Sequence, residues 1–192
     1  MRDNTHIILN KECSKYNIKY ILVLLNSHLL NWYYWTINPE KGEAMAQVKA
    51  FHLGMLPFVK LSQEAQQPFI EKADQMLSLN KELQEVSQKF QRTLGRKFGL
   101  TELPKKLQEW YLLSYDAFIK ELAKKKVKLS LSEEAEWEEY FNQQAQKALA
   151  LQKSIQITDA EIDQLVYQLY HLTEEEIAIV EGREAMAEAV DS

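Results

Sequence analysis

The chain has 192 residues, 46% of them hydrophobic and 27% charged, with a formal net charge of −5. That length holds one domain, or one domain with an extension, and is enough to bury a core. A single cysteine, Cys13, excludes an internal disulfide and a multi-cysteine metal site and points to a reducing, cytoplasmic setting. The longest apolar run, Ile21 to Leu25, is far too short to cross a membrane. The opening "MRDNTHIILN" lacks the apolar centre of a signal peptide.

Scarce Gly and Pro, with many Glu, Lys, Gln, Leu and Ala, favour helix. Thr5 to Leu9 (THIIL) is a β-branched run that reads as a short strand. From Tyr16 to Thr36, Ile18, Ile21, Leu22, Leu25, Leu29 and Trp32 recur by threes and fours, which predicts one amphipathic helix. Trp32 continues that stripe into the core, while Tyr33, Tyr34 and Trp35 fall on other faces. Asn38-Pro39 and Gly42 stop the helix. Ala46 to Leu61 is less regular and reads as short strands or an extended loop. From Ser62 to Phe98, Phe69, Ala73, Met76, Leu79, Leu83, Val86, Phe90 and Leu94 make a second long stripe, ended by Gly95 and Gly99. Another long helix starts near Ser132, with Trp137, Phe141, Ala145, Ala148, Leu151 and Ile155 on one face. The two long helices are expected to pack as an antiparallel, coiled-coil-like hairpin, Ser62–Phe98 with Glu133–Gln156. Thr158-Asp-Ala-Glu161 and Thr173-Glu-Glu-Glu176 both match a capping box and read as helix starts. Residues 183–192 have little to bury and are expected to fray. The fold class is therefore mainly α, with a small mixed α/β N-terminal part and a long helical hairpin.

Local charge says more than the total. Residues 92–132 carry ten basic and four acidic side chains, whereas residues 133–192 carry three basic and fifteen acidic. The basic stretch holds Arg92, Arg96, Lys97, Lys105, Lys106, Lys124, Lys125, Lys126 and Lys128, placed near the distal end of the hairpin. Such a cluster can hold phosphates, or it can be a solvated charged turn. Lys49 and Lys60, flanking the Leu56-Pro57 loop, are second candidates. No catalytic or metal-binding residue is assigned. The glycines form no phosphate loop. His6, His28, His52 and His171 lack metal-ligand spacing, and Cys13 has no neighbouring base to activate it. "NPEK" at Asn38 to Lys41 lacks the second Pro and the aromatic of an Asn-Pro-Pro-aromatic methyltransferase motif.

Four phrases in order carry a resemblance. They are "KYILVLLNSHLLNWYY" (Lys19–Tyr34), "EKGEAMAQVKAFHLGMLPF" (Glu40–Phe58), "QQPFIEKADQML" (Gln66–Leu77) and "EIDQLVYQLYHLTEEEI" (Glu161–Ile177). Together, across Lys19 to Gly182, the chain resembles the TaqI-like C-terminal specificity domain of type IIG restriction-modification enzymes. The resemblance implies DNA target recognition without catalysis, in the C-terminal portion of a longer recognition region, as a fragment or a split gene. Residues 1–61 would be the target-recognition part, 62–182 the helical spacer, and 183–192 a tail. Double-stranded DNA is the implied partner, with the methyltransferase and nuclease domains of a parent enzyme or a separate subunit. The implied parent is an adenine-specific DNA methyltransferase and endonuclease. S-adenosylmethionine and Mg²⁺ are implied for that parent only, with no cofactor in this chain. The alternative is a spacer or protein-docking arm, for which the acidic C-terminal stretch is suited because it repels DNA.

Overall fold

The computed structural model describes residues 15–38, 50–100 and 102–183. The Thr5–Leu9 strand, Cys13, His6, Lys49, Pro39 to Lys41, Gly42 and the tail beyond Arg183 lie outside the described residues. Among those described there is no strand. The order is α1 (Ile18–Asn26), α2 (His28–Ile37), α3 (Ala50–Gly54), α4 (Gln67–Phe98), α5 (Lys105–Gln108), a 3-10 turn (Trp110–Leu112), α6 (Tyr115–Lys124), α7 (Leu131–Leu169) and α8 (Glu174–Val180). The mainly helical class holds, and the mixed α/β N-terminal part is not seen. Ala50–Gly54, expected as strand or loop, is a helical turn, and the chain from Pro57 to Ser62 has no regular structure. Two compact units divide the chain: Met1–Gln75 with Thr158–Ser192, and Met76–Ile157.

In the first unit the single helix expected over Tyr16–Thr36 is two helices. Ser27 breaks it, with φ −65° and ψ 151°. Its buried hydroxyl donates to Leu24 C=O at 2.7 Å and accepts from Leu30 N–H at 3.3 Å, so it closes α1 and caps α2 at once. Serine competes with the backbone for hydrogen bonds in this way, which is why it favours helix ends. The carboxylate of Asp163 accepts from His28 N–H at 2.7 Å and satisfies a second donor of the first turn. The buried face is also not the expected one. Tyr20, Val23 and Leu24 are enclosed, whereas Ile18 and Leu22 are exposed. Residues 20–25 are apolar all round, so periodicity could not choose a face. The break then shifts the phase, and Tyr34 rather than Trp32 becomes the core aromatic of α2.

Gln66 ties this unit together. Its side chain is 1% exposed. The amide oxygen accepts from Asn17 N–H at 2.8 Å. The amide nitrogen donates to Lys15 C=O at 3.0 Å and Leu61 C=O at 3.2 Å. Tyr20 Oη donates to Val59 C=O at 2.8 Å, and Tyr170 Oη donates to Pro57 C=O. Lys72 reaches Glu161 at 2.7 Å. α8 opens with a complete capping box, Thr173 with Glu176. The same pattern at Thr158 starts nothing: α7 runs through it, and Thr158 is 1% exposed inside the helix. No Gly or Pro precedes it, so nothing interrupts the backbone ladder there.

In the second unit α4 and α7 run antiparallel, with Lys97 against Glu133 and Phe90 against Phe141. The space between them is filled by the 105–124 segment. Phe90, Leu94, Leu107, Trp110, Phe118 and Phe141 are at most 2% exposed. Phe90 stacks on Trp110 with centroids 3.6 Å apart, and Phe118 meets Phe141 at 4.8 Å. This end is an aromatic core rather than a two-helix seam. Ser130 and Glu133 cap α7 reciprocally, Ser130 N–H to Oε2 at 3.1 Å and Glu133 N–H to Oγ at 3.4 Å, two residues before the expected start. Gly95 does not end α4. A Cβ there would sit 3.2 Å from Leu100 C=O, so it lets the chain after Gly99 close against the helix. Gly99, at φ 63°, is the residue that ends it.

Candidate nucleic-acid interface

The second unit carries every candidate cation of the basic stretch, and its geometry sorts them. Lys124 Nζ is 2.7 Å and Lys106 Nζ 3.8 Å from the same oxygen of Glu121. That carboxyl is 9% exposed as a residue, and its hydrogen bond from Lys124 holds it below the usual carboxylate range. Lys97 pairs with Glu133 at 3.4 Å. Glu133 is likewise held low, first by hydrogen bonds from Ser130. Arg92, Arg96, Lys105, Lys125, Lys126 and Lys128 are exposed and have no carboxylate partner among the described residues. Lys60 is exposed but belongs to the other unit, and Lys49 lies outside the described residues.

The lysine run closes α6. Lys126 N–H bonds to Ala123 C=O and Val127 N–H to Leu122 C=O, with Lys126 at φ 62°. This is the paired closure that usually puts glycine at the left-handed position. Lys125, Lys126 and Lys128 therefore project from a fixed turn. The arginines lie elsewhere in the unit. Arg92 and Arg96, one turn apart on α4, line an open depression of about 530 Å³ with Leu100, Leu103 and Gln108. A second depression of about 470 Å³ shares Gln88, Gln91 and Gln108 with it and extends along α4 to Asn80. The two make one gutter between α4 and the 100–111 segment. Neither lining contains an Asp or Glu, in a chain with 28 acidic residues.

The amides of this gutter were not singled out from the sequence. Their signal was present: Asn80, Gln84, Gln88, Arg92 and Arg96 repeat at intervals of four. Hydrophobic periodicity draws the eye to the opposite face of the same helix.

Residues 1–58 match the family described as a TaqI-like C-terminal specificity domain. Residues 62–166 match a family described as a domain of unknown function, DUF8810, over more than half of the chain. The chain belongs to the DUF8810 family. Its DUF8810 region contains all the cations of the basic stretch and the gutter, and begins four residues after the specificity-domain match ends. The resemblance read across Lys19 to Gly182 is thus matched over residues 1–58, and the Gln66–Leu77 phrase falls within DUF8810. The specificity-domain family is non-catalytic and has a DNA-recognition role in restriction-modification enzymes. No curated protein and no solved structure matches. No described helix is long and apolar enough to cross a membrane.

Proposed function

We propose that this chain is a non-catalytic DNA target-recognition portion of a restriction-modification enzyme, gripping the duplex backbone and positioning a methyltransferase and nuclease carried elsewhere. The observation that carries this reading is the match of residues 1–58 to a specificity domain. Physical support comes from the exposed, unpaired cations of the DUF8810 region. Phosphate contacts fix register without reading sequence, and Lys125, Lys126 and Lys128 on their closed turn are suited to that. Base contacts would come from the N-terminal third. S-adenosylmethionine and Mg²⁺ belong to the catalytic parts of an adenine-specific parent enzyme, with a cytoplasmic setting.

The test is a mobility shift on a labelled duplex across a salt series. Each phosphate neutralised adds about 0.9 to the slope of log affinity against log salt. Replacing Lys125, Lys126 and Lys128 by Ala should lower that slope by about 2.7. No retardation at low salt would sink the DNA reading. It would favour the second one, a protein-docking arm, which is supported by exposed Leu131, Leu149 and Ile157 on the acidic α7.

A further inference from the structure

The gutter beside α4 differs from the lysine turn in chemistry. From Asn80 to Arg96 it follows the helix for about 24 Å at 1.5 Å per residue. Three of its side-chain amides, Gln84, Gln88 and Gln108, make no hydrogen bond among the described residues, and neither arginine meets a carboxylate. Gln91 is different: its amide is spent on Gln108 C=O at 2.8 Å and on Ser87 Oγ at 3.2 Å, which fixes the gutter floor. Gly95 allows the far wall to approach. Asn80 Nδ2 is bonded to Met76 C=O and Arg96 Nε to Arg92 C=O, so the result is a concave, uncharged-to-cationic channel whose free donors are the amides of Gln84, Gln88 and Gln108 and the remaining guanidinium N–H groups of the two arginines.

We infer that this gutter seats one sugar–phosphate strand of duplex DNA, with Arg92 and Arg96 on phosphates at one end and the amides of Gln84, Gln88 and Gln108 on the following ones. The shape decides between backbone and base edges. The major groove is itself a concavity and is read by convex elements, such as a helix entering it, whereas a backbone ridge is convex and fits a channel. The chemistry agrees. Phosphate oxygens accept hydrogen bonds from Arg, Asn, Gln and Tyr side chains alike, and a carboxylate in the lining would repel them. The site rests on the DNA-contact reading above and deepens it, because part of the grip becomes neutral and insensitive to salt.

The experiment uses the full chain and a generic 30-base-pair duplex, about three helical turns. Gln84→Glu with Gln88→Glu changes shape little and places two anions in the channel. Binding at low salt should fall roughly tenfold or more, since two carboxylates would face the phosphates across the channel. The same two-charge change at exposed Gln143 and Gln146 on α7 should alter binding less than about twofold. Arg92→Ala with Arg96→Ala should lower the salt slope by about 1.8, a readout that a loss of fold would not mimic. Equal losses in gutter and control, or wild-type affinity with both glutamates in place, would overturn the channel while leaving the lysine turn standing. Preference for the single strand of the same sequence, with the same sensitivity, would overturn the duplex assignment. If the wild-type chain retards nothing, the DNA reading and the channel fall together.

Discussion

The amide of Gln66 uses one acceptor and both donors inside the first unit. An apolar replacement leaves Asn17 N–H and two part-buried carbonyls without their partner. Gln66→Leu should therefore cost about 2–4 kcal/mol, from several lost bonds at about 1 kcal/mol each plus unmet polar groups. The measurement is urea unfolding, and a shift below about 1 kcal/mol would show the tie to be redundant. Lys126 runs the other way. A non-glycine residue at φ 62° bears a steric penalty of about 1 kcal/mol. Lys126→Gly should raise stability by about that amount while lowering the salt slope of DNA binding by about 0.9. Opposite signs in the two assays are the expected signature of a cation kept for binding.

Three Ser/Thr-x-x-Glu patterns occupy the C-terminal half, and only two cap helices. Ser130 and Thr173 follow turns that already leave the helix, where orphan N–H groups need acceptors. Thr158 follows uninterrupted helix formers, and tertiary burial holds it inside α7. Thr173→Ala should cost about 1 kcal/mol, seen as faster amide exchange through α8 before the rest of its unit. Unchanged exchange in α8 would mean that packing of Ile177 and Val180 alone holds it. The same contrast sets what could be read in advance. The long helices were legible because their apolar stripes are sustained: Phe69, Ala73, Phe90, Leu94, Trp137 and Phe141 are all buried. The buried face of α1 was not legible, since apolar residues surround it. Nor was the aromatic core around Trp110, whose partners come from elements distant in sequence.

On the scale of the molecule, charge is segregated along the chain, and among the described residues Glu121 meets two of the basic group, Lys106 and Lys124, while Glu133 meets Lys97. Glu121→Gln releases Lys106 and Lys124 for phosphate. DNA affinity should rise several-fold and the salt slope by up to about 1.8, while stability falls. Lower affinity alongside lower stability would place those lysines outside the interface. The basic set itself was visible as a run in sequence, but its division into paired and unpaired members depends on which carboxylates the fold brings near. The gutter depends further on Gly95, whose role is a close approach that no local pattern announces. The Gln66 tie also bears on the order of folding. Its bonds join residues 49 and 51 positions apart, and closing a loop that long costs entropy before any contact repays it. α4 and α7 can grow from neighbouring turns alone. The docking of α1 against Gln66 must wait for that loop to close, as the pairing of Phe90 with Phe141 across α4 and α7 must wait for one of similar length.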